Sequence, residues 1–298
     1  MIAPRAPFTL PLPGRPALVL GSRTLVMGVL NVTPDSFSDG GRALDPERAL
    51  DRALAMEAAG ADLLDIGAES TRPGASPVPA REERLRLLPV LRRLHRVRIP
   101  LSIDTTKAEV ARFGLDEGAS IVNDVSGLQY DPDMAGLVAV REAPLILMHM
   151  RGRPEDMYAR AAYADVVADV ARDLTRAVER AVSRGVGWER LVLDPGIGFA
   201  KRAEHSARLL AGFDRLASLG RPLLAGPSRK SFLTRAIGDV PAGGRDWATA
   251  AAVTASVLGG AHVVRVHAVA EMVQVVRVAD MIREHGVPSG ADGESGRA

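Results

Sequence analysis

The sequence predicts a single (β/α)8 TIM barrel with its active site at the C-terminal face of the strands. Three observations predict it. Short, nearly continuous apolar runs alternate eight times with longer segments of helical period. The alternation fills nearly all of the 298 residues. Almost every run ends in a polar or charged side chain. Apolar runs without polar alternation are expected of strands buried on both faces, as in a parallel sheet under helices. An open doubly wound sheet is the competing architecture, but neither G-x-G-x-x-G after a first strand nor G-x-x-x-x-G-K-[ST] is present.

In chain order, residues 1–23 read as a short, proline-rich N-terminal lead. The first run, Leu25–Leu30, precedes a helix over Pro46–Ala59, with Asp45-Pro46 as its start signal and Gly60 as its stop. The second run, Asp62–Ile66, precedes a helix over Ala80–Arg96. Leu101–Ile103 leads through Asp104-Thr105-Thr106 into Lys107–Glu117, closed by Gly118. Ser120–Val122 and Leu145–Met148 are the fourth and fifth runs, with a helix over Ala162–Arg184 after the fifth. Leu191–Leu193 and Pro222–Ala225 follow, then a helix over Asp246–Leu258 and the last run, His262–Val266. Residues 24–285 therefore read as one domain, and 286–298 as a disordered tail.

Composition narrows the function classes. The chain is 47% hydrophobic and 25% charged, as ordinary globular domains are. A net charge of +2 gives no ground for nucleic acid, and no apolar run reaches the length of a membrane helix. There are no cysteines, which excludes disulfides, a thiolate nucleophile and Cys-ligated metal. Without a secretory h-region at the N-terminus, a cytoplasmic location is the expectation. Of the 38 basic residues only Lys107, Lys201 and Lys230 are lysines. In so arginine-rich a chain, a retained lysine points to a place that needs a compact ammonium.

The ends of the runs carry the chemistry. In a closed barrel they meet at one mouth, where active sites of this fold are built. Asp104, Asn123 and Asp194 end the third, fourth and sixth runs. Their planar donors and acceptors suit a flat heterocycle bearing amino and ring N–H groups. Lys230, Arg265 and His267 follow the seventh and eighth, where phosphate sites of this fold form. Alternation places Arg265 and His267 on one strand face. No His/Glu spacing of a transition-metal site is present, and His149 reads as a satisfied core histidine. A hard ion such as Mg2+ needs only one or two protein oxygens beside phosphate, and Asn31 is well placed to offer one.

Read together, Asn31-Val32-Thr33-Pro34-Asp35-Ser36-Phe37-Ser38-Asp39-Gly40-Gly41, Asp65-Ile66-Gly67-Ala68-Glu69-Ser70-Thr71-Arg72-Pro73-Gly74, Ile103-Asp104-Thr105, Val122-Asn123-Asp124, Met148-His149-Met150, Asp194-Pro195-Gly196-Ile197-Gly198-Phe199, Ser228-Arg229-Lys230-Ser231 and Arg265-Val266-His267 resemble the dihydropteroate synthases over about residues 24–285. The resemblance implies a barrel, usually a homodimer, that joins 6-hydroxymethyl-7,8-dihydropterin diphosphate to para-aminobenzoate and releases diphosphate. It implies pterin contacts from Asp104, Asn123, Asp194 and Lys230, Mg2+ at Asn31, and diphosphate contacts from Arg265 and His267. Of these, Asp104, Lys230, Arg265 and His267 are the expected catalytic set. Asp35, Ser70, Thr71 and Arg72 belong to the first two loops, which close over the site in the resembled family. Phe199, Lys230 and Ser231 fall near the para-aminobenzoate, with Met148 also among the substrate contacts. An SN1-like displacement follows, with electrostatic stabilisation of the leaving diphosphate. Departures stand at Pro227, Ala268, Arg202 and Ser206 and in Arg153-Pro154-Glu155, none at a residue assigned to pterin or phosphate. Two other readings stay open: a non-catalytic pterin-binding paralogue, and a pterin-dependent corrinoid methyltransferase.

Overall fold

The computed structural model describes residues 2–33, 45–69 and 77–286. An antiparallel hairpin of β1 (Phe8–Leu12) and β2 (Arg15–Leu20) comes first. Eight parallel strands follow: β3 (Leu25–Asn31), β4 (Leu63–Gly67), β5 (Leu101–Asp104), β6 (Ile121–Asp124), β7 (Leu145–Met148), β8 (Leu191–Asp194), β9 (Leu224–Ala225) and β10 (Val263–Val266). Each is followed in the chain by a helix: α1 (Pro46–Ala58), α2 (Ala80–Leu94), α3 (Ala108–Asp116), α4 (Met134–Val140), α5 (Val166–Ser183), α6 (Ala203–Ala211), α7 (Asp246–Leu258) and α8 (Val269–Gly286). The strands pair in the order β8-β7-β6-β5-β4-β3-β10-β9. Leu193 bridges to Leu223 beside β9, and its N–H donates to the Pro222 carbonyl at 2.9 Å, which closes the ring. The architecture is the (β/α)8 barrel the sequence predicts.

Strand period divides every run into two sets. One set, including Val26, Leu64, Ile103, Val122, Leu147, Leu193 and Val264, faces outward and shares a core with the helices. The other set, Leu25, Met27, Leu63, Ile121, Ile146, Val192, Leu224 and Val263, fills the lower barrel interior. The hairpin's Leu10, Leu12 and Leu20 complete this second cluster from below. The barrel is therefore a packed stack with an apolar floor.

Several boundaries differ from the sequence expectation. Residues 8–20, read as a lead, form the hairpin that plugs the barrel. The alternation of Phe8, Leu10 and Leu12 around a turn at Gly14 (φ +66°) was its signal. Helix α5 starts at Val166 rather than Ala162, because the Asp165 side chain accepts the Val167 and Ala168 N–H groups as an N-cap. The seventh run forms a strand only over Leu224–Ala225. Gly286, expected in the tail, ends α8; residues 287–298 lie outside the described residues.

Candidate active site

The polar residues of the mouth stand one step above the apolar floor. Asp65, Asn123, Asp194 and Arg265 each lie two residues beyond an interior apolar residue of the same strand: Leu63, Ile121, Val192 and Val263. The strand period therefore points all four inward. Lateral register sets Asn31, Gly67, Asp104 and Asn123 side by side across β3 to β6.

Arg265 joins them. Its Nε donates to Asp65 Oδ2 at 2.6 Å and its Nη2 to Asp104 Oδ2 at 2.7 Å. Asn123 Nδ2 donates to the same Asp65 oxygen at 2.9 Å. Arg265 was expected with His267 on the diphosphate; here two of its donors serve Asp65 and Asp104, the latter expected at the pterin. This guanidinium joins the two halves of the site. Buried Asp65 Oδ1, Asn123 Oδ1 and Ser102 Oγ take no protein partner among the described residues. Gly67 and Gly226 keep the space beside these groups open. A Cβ at Gly67 would stand 3.2 Å from the Asp104 Cβ, and one at Gly226 3.8 Å from Asp194 Oδ2.

Burial sets the charge states. Asp104 is pushed up to about 7 by desolvation and by the Asp65 carboxylate, against the pull of Arg265. Asp194 is pushed up to about 6 by desolvation, although the Gly196 N–H donates to its Oδ1 at 2.7 Å. His267 falls to about 3 through burial and the charges of Arg265, Arg229, Lys230 and Arg52. It is therefore a neutral imidazole in a positive surround. Ser228 Oγ accepts the His267 backbone N–H at 3.2 Å and lies 2.9 Å from Nδ1. In the tautomer in which the Ser228 hydroxyl donates to Nδ1, the proton sits on Nε2 and can serve an anion.

On the neighbouring side, the Lys230 ammonium lies 3.5 Å over the Phe199 ring. Met148 packs with Phe199, Met150 and Met157 in an apolar cluster. Ser231 Oγ lies 3.5 Å from the Tyr158 hydroxyl. Arg229, next in sequence to Lys230, holds Asp246 of α7 through two bonds of 2.7 and 2.8 Å and so anchors the loop.

Asp104, Asn123, Asp194, Arg265 and Asn31 thus share the mouth, with His267, Lys230, Phe199, Met148 and Ser231 on its rim. Asp35, Ser70, Thr71 and Arg72 lie outside the described residues. Sequence reading assigned no role to Asp65, although it occupies the same place above Leu63 that Asn123 occupies above Ile121. His149 is a satisfied buried histidine, 3.2 Å from Asp173 and 2.8 Å from Lys201. Lys107 is paired at the edge of the mouth with Glu69 and with Glu83, the latter at 2.9 Å. Among the described residues, no group of three His, Cys, Asp or Glu side chains is placed to hold a metal ion.

The family model described as "Pterin binding enzyme" matches residues 27–267. A dihydropteroate synthase of Synechocystis sp. is 45% identical over 277 residues, covering 92% of this chain and 96% of that protein. The dihydropteroate synthase of Mycobacterium leprae is 48% identical over 259 residues, covering 85% of this chain and 91% of that protein. Among solved structures, Xanthomonas albilineans dihydropteroate synthase with 4-aminobenzoic acid is similar with a TM-score of 0.85 and 41% identity, covering 96% of this chain and 100% of that one.

Proposed function

The chain belongs to the pterin binding enzyme family, and we infer from that membership and from the mouth of the barrel how its reaction runs. It is a transferase that condenses 6-hydroxymethyl-7,8-dihydropterin diphosphate with para-aminobenzoate to 7,8-dihydropteroate and diphosphate. One observation carries the assignment of roles: inward carboxylate and amide oxygens above an apolar floor, buried Asn123 Oδ1 among them without a protein donor. Such oxygens match the amino and ring N–H groups of a pterin. Asp104, Asn123 and Asp194 take those groups, with Lys230 at the edge of the ring.

The leaving diphosphate lies toward Lys230, Arg265 and the Nε2–H of His267. As the methylene C–O bond breaks, its electron pair goes to the diphosphate oxygen, and these donors stabilise the growing charge. The methylene becomes cation-like, which Asp104 favours through the ring in its ionised form. The aromatic amine nitrogen then forms the C–N bond and releases a proton to solvent. Phe199, Lys230 and Ser231 seat the amine, with Met148, Ser70, Thr71 and Arg72 completing the substrate contacts; orientation does the rest.

Asn31 fits Mg2+, since it offers one neutral oxygen at the end of β3 and a hard ion takes its other ligands from diphosphate and water. When bound, Mg2+ neutralises leaving-group charge. A corrinoid-dependent methyltransferase has no use for the anion-binding rim of Lys230, Arg265 and His267 and is not favoured.

A homodimer is supported by Val278, Met281 and Ile282, which expose one apolar face of α8, and by Trp247 on the adjoining α7, 90% exposed. No helix of the described residues is long and apolar enough to cross a membrane.

The test is diphosphate release from the dihydropterin diphosphate, with and without para-aminobenzoate and Mg2+. Release should match dihydropteroate formation, fall on chelation of Mg2+, and drop at least a hundredfold in Lys230→Ala. Tight pterin binding without diphosphate release under any Mg2+ condition would establish the non-catalytic paralogue instead.

A further inference from the structure

Lys201 is 1% exposed, and the chemistry above makes no use of it. Its Nζ donates to three acceptors at once: His149 Nδ1 at 2.8 Å and the Gly196 and Phe199 carbonyls, both at 3.1 Å. Those carbonyls belong to the turn after β8, whose backbone is left-handed at Gly196 (φ +66°), Gly198 (φ +82°) and Ala200 (φ +49°). A turn of that shape satisfies few of its own carbonyls. Within it the Phe199 N–H donates to the Gly196 carbonyl at 3.0 Å, and the Tyr163 hydroxyl holds the Ala200 carbonyl at 2.8 Å. The ammonium is the central tie.

The far side of the tie is equally built. Because Nδ1 of His149 accepts, its Nε2 carries the proton and donates to Asp173 Oδ2 at 3.2 Å. Asp173 also takes Arg151 Nε and Nη2 at 2.9 and 2.7 Å, and that guanidinium stacks 4.2 Å from the Tyr163 ring. What the turn presents to the mouth is the Phe199 ring beneath the Lys230 ammonium, with Gly198 against the Lys230 stem.

We propose that Lys201 is a positioning residue for the aromatic amine: its ammonium, oriented by His149 and Asp173, fixes the Gly196 and Phe199 carbonyls and so sets the Phe199 ring under Lys230. The proposal rests on the reading that Phe199, Lys230 and Ser231 form the amine seat. The site requires an ammonium. Three acceptors converge on one nitrogen, which matches its three tetrahedral donors, whereas a guanidinium spreads its donors over a plane too broad for so closed a space. In a chain with 35 arginines and three lysines, this lysine is one that arginine cannot replace.

Electrostatics supports the same picture. Burial brings Lys201 down to about 7; Asp194 and Asp173 oppose the fall, and Arg151 and Lys230 add to it. The facing His149 is neutral, held near 4 mainly by burial, and His205 lies behind the Tyr163 ring at 5.0 Å. Loss of one proton leaves two N–H donors for three acceptors, which loosens the turn above about pH 7.

Steady-state kinetics of the full chain tests this. Lys201→Met is expected to raise KM for para-aminobenzoate at least tenfold while changing KM for the pterin diphosphate less than threefold. The split arises because the bond from the Gly196 N–H to Asp194 does not pass through Lys201. Lys201→Arg should fail to rescue, and the rise of that KM above pH 7 in the parent should be absent in Lys201→Met. Should Lys201→Met not fold, Asp173→Asn, at a position whose side chain is 24% exposed, gives the same split at about threefold. Equal changes in both KM values, unchanged KM with a lower melting temperature, or rescue by arginine would overturn the proposal. Phe199→Leu is the separate control: an unchanged KM for para-aminobenzoate there would overturn the seat itself.

Discussion

At the scale of single residues, the mouth is governed by how burial sets protonation. Asp194 sits near 6 in the free protein because desolvation disfavours its charge. A pterin that donates ring N–H groups to it binds the ionised form. With Asp104 raised to about 7 and bound in the same ionised form, affinity is flat above about pH 7, falls by about tenfold per pH unit below it, and steepens below about pH 6, since each carboxyl must lose its proton on binding. Calorimetry with a pterin lacking the diphosphate checks this without phosphate titration. In Asp194→Asn the limb near pH 6 should vanish. Asp65 works differently, as the shared acceptor for Arg265 and Asn123 at 2.6 and 2.9 Å. Nothing in its local sequence separates it from a helix-facing strand residue; only its step above Leu63 does so.

At the scale of elements, the hairpin and the strand ends divide the work. The β1–β2 hairpin closes the apolar floor with Leu10, Leu12 and Leu20, at the end of the barrel opposite the mouth. Leu20 is 1% exposed, so Leu20→Ala should lower stability by about 2–4 kcal/mol through lost transfer and a residual cavity. Urea unfolding measures that loss, and kcat/KM should stay within twofold of the parent under native conditions. The turn after β8 behaves in the opposite way. A Cβ at Gly196 would run into the His149 carbonyl oxygen, and the residue is left-handed at φ +66°. Gly196→Ala should therefore reduce turnover far more than it reduces stability, because it displaces the bond from the Gly196 N–H to Asp194 at 2.7 Å.

At the scale of the whole molecule, the exposed apolar face of Val278, Met281 and Ile282 on α8 argues for self-association. Light scattering should give twice the chain mass of 31.6 kDa, and charged substitutions at Met281 and Ile282 should shift the particle toward the monomer. The barrel itself was legible because a parallel sheet wrapped by helices demands continuous apolar runs, and eight were present at the right spacing. Asp104, Asn123 and Asp194 were legible as groups of the mouth because a barrel collects strand ends at one face. The hairpin was not, because the prolines of its stretch hid a period of two whose partner is the barrel floor. Nor was the junction of Lys201 and Asp173 through His149, which joins residues 52 and 24 positions apart.

The order of residues alone thus decided the fold class, the end of the barrel that carries chemistry and most of the groups that point into it, since strand period and strand-end position are local properties. Tertiary contact decided which of those groups share a proton or a charge. Burial raised Asp104 and Asp194, burial with four nearby cations held His267 neutral, and Arg265 came to bridge Asp65 and Asp104. Desolvation and charge pairing depend on neighbours brought from other strands, and no local stretch of sequence contains them.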